Sequence, residues 1–145
     1  MKRLLMMFLG MVIMCSTAMA DNDKPIAVGQ MPKPAQEFVV KYFPDNKVMM
    51  AKQEGNIVDR SYEVMFANGS KVEFDKSGEW TSVECKGTSV PDGIVPAPIA
   101  EYVQKNFEGI KVTKIEKEAK RYEIELSNKV ELTFNKSFKL LEVDF

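Results

Sequence analysis

Apolar and polar residues alternate along Tyr62–Ser77, YEVMFANGSKVEFDKS, and again sixty residues later along Tyr122–Ser137, YEIELSNKVELTFNKS. Alternation on both sides of a polar, Asn-containing step predicts a half-buried β-hairpin in each place. Tyr62, Val64, Phe66, Val72 and Phe74 share one face, and Glu63, Lys71 and Glu73 the other. In the second stretch Tyr122, Ile124, Leu126, Leu132 and Phe134 face inward, against Glu123, Glu125, Glu131 and Thr133.

A different period precedes each hairpin. Ala35, Phe38, Val39, Tyr42 and Phe43 fall on one helical stripe, and Ile99, Tyr102, Val103 and Phe107 repeat it. Pro34 and Pro98 mark the helix starts, where proline costs no hydrogen bond and pre-sets φ. Strands are predicted after each helix, at Lys47–Gln53 and Ile110–Glu118. Met49-Met50-Ala51 is apolar throughout and Ile115 is out of phase with Val112, so a bulge or two-sided position is expected in each. A closing strand follows each hairpin, at Glu79–Cys85 and Lys139–Phe145. The chain therefore divides into residues 32–85 and 96–145, joined by the Gly-, Pro- and Ser-containing linker 86–95, KGTSVPDGIV. The predicted class is α+β: a tandem duplication, each unit one helix on a four-stranded antiparallel sheet, the two units together forming one compact domain.

The ends carry an address. Lys2 and Arg3, the apolar Leu4–Met14 and Ala18-Met19-Ala20 read as an export signal cleaved after Ala20, which makes the protein periplasmic or secreted. The apolar run is about half of the roughly 20 residues that span a bilayer, so no transmembrane segment is expected in the mature chain. Lipidation at Cys15 is a minor alternative, disfavoured by the bulky Val12-Ile13-Met14 before it. Residues 21–31 lack periodicity and read as a flexible leader.

Composition narrows the chemistry. Twenty basic residues less Lys2 and Arg3 leave 18 against 21 acidic, a mature charge of −3 with no concentrated basic face, which argues against nucleic acid. With the signal removed, Cys85 is the only cysteine, so no internal disulfide can form. Cys85 aligns with the inward Phe145, and burial is its expected state. The chain holds no histidine, which removes Ser-His and Cys-His nucleophilic pairs and most zinc sites. Glu63, Glu73, Glu123, Glu125 and Glu131 could pair as acid and base or hold calcium, but alternation with Lys is what a solvated sheet face shows. No catalytic, cofactor or metal residue is assigned. Trp80 has the parity of Ser82 and Glu84, and its counterpart is Leu140. With Met65 these place apolar groups on an otherwise polar face, a pattern that suits a partner contact. The bland reading is that Trp80 covers a seam between the units or packs on the leader.

The duplicated order P-x-P-helix-NF/YF, Y-E-V/I, N-G/K, V-x-F-D and G-x-W, behind an export signal, resembles the PepSY-like, β-lactamase-inhibitor-like proteins exported by Bacteroidetes, over about Met31–Phe145. The resemblance implies two α+β units and carries no inhibitory residues with it. The expected function is an exported, non-catalytic binding or inhibitor-like module that contacts a protein or peptide of the cell envelope through a sheet face. The alternative is a binder of a small apolar ligand between helix and sheet.

Overall fold

The computed structural model describes residues 23–145; the expected export signal and Cys15 lie outside them. The elements in chain order are β1 (Lys24–Ile26), a 3-10 turn (Val28–Gln30), α1 (Lys33–Tyr42), β2 (Val48–Glu54), β3 (Ser61–Phe66), β4 (Lys71–Phe74) and β5 (Trp80–Glu84). They continue with α2 (Ala97–Asn106), β6 (Val112–Lys117), β7 (Arg121–Leu126), β8 (Glu131–Asn135) and β9 (Leu140–Asp144). All nine strands form one antiparallel sheet in the order β1 to β9.

This corrects the expected fold class. There are not two separate helix-on-four-strand units but one mostly-β sheet that carries two ten-residue helices. The joint is β5 with β6, in the register Ser82↔Glu116, Val83↔Ile115, Glu84↔Lys114. Left apart, those two strands would each present a row of unpaired N–H and C=O groups, which pairing satisfies. Val83 and Ile115 are fully buried at the joint, so the core runs through it without a break. Residues 24–26, read as part of an aperiodic leader, add a ninth strand, with Ile26 opposite Ala51.

Both helices lie on one face. Ala35 and Val39 of α1, and Ile99 and Val103 of α2, enter the same core as Val64, Phe66, Ile124 and Phe134. Phe43 stacks on Phe66 with centroids 4.7 Å apart, Phe38 meets Phe74 edge-on at 5.5 Å, and Tyr102 meets Phe134 likewise at 5.5 Å. Each phenylalanine buried in this way contributes about 2–3 kcal/mol of hydrophobic free energy, which two short helices without side-chain caps need from tertiary contacts.

The strand irregularities fall where the apolar phase breaks. Register shifts leave Met49 unpaired between Val48 and Met50, and Thr113 between Val112 and Lys114, as the sequence predicted. Two further shifts leave Thr81 and Leu141 unpaired. The Asn68-Gly69 step is not a two-residue type I′ turn. Phe66 N–H bonds the Ser70 carbonyl and Gly69 N–H the Phe66 carbonyl, closing a three-residue loop in which Gly69 takes φ +88°. The counterpart loop closes on Leu126 and Val130, with Lys129 at φ +70°.

Candidate functional site: the uncovered sheet face

Because α1 and α2 share one face, no helix among the described residues covers the other. On it, Met65 lies opposite both Met50 and Lys71. Glu63 sits between two cations, with Lys52 Nζ at 3.8 Å and Lys71 Nζ at 3.9 Å, and only 7% of it is exposed. Burial raises its carboxyl above the ordinary range, and the two lysines oppose that shift.

The second half of the sheet reverses this pattern. Glu116 stands where Lys52 stands in the first half, opposite Glu123, and Glu131 stands where Lys71 stands, opposite Glu125. Burial, then the neighbouring Glu118, raises the Glu123 carboxyl. Arg121 answers with a bond to Glu118 at 2.7 Å and one to Glu123 at 3.0 Å. Glu116, Glu118 and Glu123 point carboxylate oxygens within 4.8 Å of one another; Arg121 bonds two of them and Lys114 bonds Glu116 at 2.8 Å, so two cations partly offset three carboxylates. A shallow groove of about 190 Å³ runs over this region, between Lys114, Arg121, Glu123, Glu131 and Glu142.

Cys85, the free cysteine of the described residues, is buried, and burial pushes its thiol up, away from the reactive thiolate.

The three residues singled out from the sequence do not come together. Met65 is on the uncovered face. The bulge at Thr81 reverses parity, so Trp80 lies opposite Phe74 and turns to the helix side. There its ring is 6.5 Å from Phe38, and Lys117 of β6 places its ammonium 4.4 Å above it. Contacts from α1 on one side and β6 on the other make Trp80 a half-buried cover for the joint. The bulge at Leu141 does the same for Leu140, opposite Phe134.

One exposed feature was missed. Ile57 and Val58 are 83% and 73% exposed in the β2–β3 connection, which is four residues longer than its counterpart. The Asn56 side chain holds that loop by accepting the Val58 and Asp59 N–H groups at 2.8 and 3.1 Å. The only sequence signal was a branched apolar pair inside a turn.

No helix among the described residues is long and apolar enough to cross a membrane. No curated protein matches the chain. A solved structure of a "putative calcium-regulated periplasmic protein" from Bacteroides thetaiotaomicron is 52% identical, covers 85% of this chain and 97% of its own, and superposes with a TM-score of 0.82. A "putative periplasmic protein" from Bacteroides vulgatus is 48% identical over 87% of this chain and 99% of its own, at 0.84. A second protein of that organism, of unknown function, is 34% identical over 86% of this chain and 100% of its own, at 0.80. All three are described as periplasmic, in agreement with the address read from the first twenty residues: the protein is periplasmic or secreted. Residues 60–142 match the family described as "putative beta-lactamase-inhibitor-like, PepSY-like". With half the chain matched and relatives this similar along their whole length, the chain belongs to the PepSY-like, beta-lactamase-inhibitor-like family.

Proposed function

We propose that the protein is a non-catalytic binding module that contacts a protein or peptide of the cell envelope through its uncovered sheet face. The observation that carries this reading is the placement of both helices on the opposite side, which leaves β2–β9 with one open surface. Met65 and Met50 form an apolar, adaptable spot near the β3–β4 turn of its first half, flanked by charge. Of the three residues read from the sequence, Met65 is the contact; Trp80 and Leu140 act from the helix side as support for the sheet that presents it. A small apolar ligand between helix and sheet fits less well, since Phe38, Phe43, Phe66 and Phe74 fill that space ring against ring.

Affinity capture from envelope extract tests the reading. Met65→Lys is expected to leave the melting temperature unchanged and abolish capture of the specific partner. Trp80→Ala is expected to lower the melting temperature through lost packing. Undiminished capture by Met65→Lys would move the contact off this face.

A further inference from the structure

The joint between β5 and β6 has an unfilled counterpart at the ends of the sheet. Among the described residues β1 and β9 are the edges. By sequence and register, β9 stands to β8 as β5 stands to β4: Val72↔Val83 corresponds to Leu132↔Val143, and Glu73↔Ser82 to Thr133↔Glu142. Likewise β2 stands to β3 as β6 stands to β7, with Ala51↔Val64 corresponding to Ile115↔Ile124. From these correspondences we propose that β9 of one copy of this chain adds to β2 of a second copy once β1 is displaced from that edge, in the register that joins β5 to β6 within the chain.

Four observations carry this pairing. The first is burial. Cys85 directly follows β5, donates its N–H to the Thr113 carbonyl at 2.8 Å and is 3% exposed; Phe145, its counterpart after β9, is 92% exposed. A large aromatic ring thus sits in water at the position that the joint buries. The second is charge. The joint register sets Val143 opposite Ala51 and Glu142 opposite Lys52, a favourable cross-strand pair.

The third is the state of the receiving edge. β1 covers only Ala51–Gln53 of β2. Beyond Ile26 the two segments part around a cleft of about 290 Å³ between Pro25, Val28, Val48 and Met49. Met49, the bulge residue that corresponds to Thr113, is 66% exposed. The fourth is that β1 already imitates the incoming strand, since Ile26 faces Ala51 as Val83 faces Ile115. β1 is therefore a short guard over a site built for a longer strand. It contains Pro25, which has no N–H to give, and only three residues hold it.

Such an interface uses two different edges, so it extends head to tail and does not close into a two-fold dimer. Sedimentation velocity on the full-length mature chain tests the proposal. Wild type stays monomeric at micromolar concentration, while Ile26→Asp, which loosens the guard, gives species that grow with concentration. Adding Lys52→Glu returns that variant to monomer, and adding Glu142→Lys as well restores assembly. A folded Ile26→Asp chain that stays monomeric, or assembly indifferent to the charge swap, overturns the proposal. Should Ile26→Asp fail to fold, a labelled peptide of residues 139–145 is titrated onto the wild-type chain. It is expected to bind at least tenfold tighter than the same peptide with Glu142→Lys, and equal or absent binding overturns the proposal.

Discussion

The half of the sheet from β2 to β5 and the half from β6 to β9 share a backbone and an inner face and differ nearly everywhere else. Tyr62↔Phe74 in one is Tyr122↔Phe134 in the other, and Phe38 meets Phe74 as Tyr102 meets Phe134. The outer faces diverge. Glu63 is held between Lys52 and Lys71, whereas Glu123 has Glu116 opposite it and relies on Arg121. The turns diverge too, since Gly69 and Gly78 become Lys129 and Phe138, which also take positive φ. Packing against the helices therefore holds sequence to a narrow choice, while a solvated face and an exposed turn leave it free.

The largest effect is expected where the halves meet. Ile115→Ala should cost about 2–5 kcal/mol, because Ile115 is fully buried opposite Val83. Urea unfolding followed by Trp80 fluorescence and by far-ultraviolet circular dichroism should remain one coincident transition. Two separate transitions would mean that the halves fold independently.

The turn pair comes next. Gly78 has φ +89°, and a Cβ there would lie 2.9 Å from Pro32 Cβ and 3.0 Å from the Ala35 nitrogen, at the start of α1. Gly78→Ala should cost about 2 kcal/mol by thermal or urea unfolding. Phe138 already carries a Cβ at φ +64° and stacks on Tyr122 at 5.7 Å, so Phe138→Ala should cost only about 1 kcal/mol. Equal losses at the two positions would remove the role given to the helix approach. Lys129→Gly relieves a positive φ in an exposed turn and should raise stability by up to about 1 kcal/mol. A lowered or unchanged melting temperature counts against that strain.

The smallest effect concerns pH. Burial holds the Glu63 carboxyl above its unfolded value, so the folded chain keeps that proton to higher pH than the unfolded chain does. Its contribution to stability is fully present below the unfolded value, about pH 4, and is lost as pH rises through the folded value. Melting curves of Glu63→Gln from pH 4 to 7 should show a shallower decline than wild type. An identical profile would assign the pH dependence to other groups, Glu123 first among them.

Much of the fold was legible. The hairpins, both proline-started helices and the bulges at Met49 and Thr113 follow from periodicity, because each repeats an apolar spacing long enough to count. The joint was not, since Val83 and Ile115 alternate like any inward strand residues, and no side-chain pattern says which edge meets which. β1 is too short for a period to register. Trp80 was assigned to the wrong face because the Thr81 bulge adds one residue between it and Val83, and in a strand one residue inverts parity. The candidate face could be read only as alternating charge; its exposure depends on where the helices settle.

The strand order has a kinetic consequence. Each strand pairs with the one made just before it, so contacts are mostly local and little loop entropy opposes them. The two long closures are β1 to β2, across α1, and β5 to β6, across α2. A chain threaded through a membrane from its N-terminus can complete β1 to β5 as it emerges. Until β6 arrives, β5 is an open edge, and that interval is when misassembly with a neighbour is easiest.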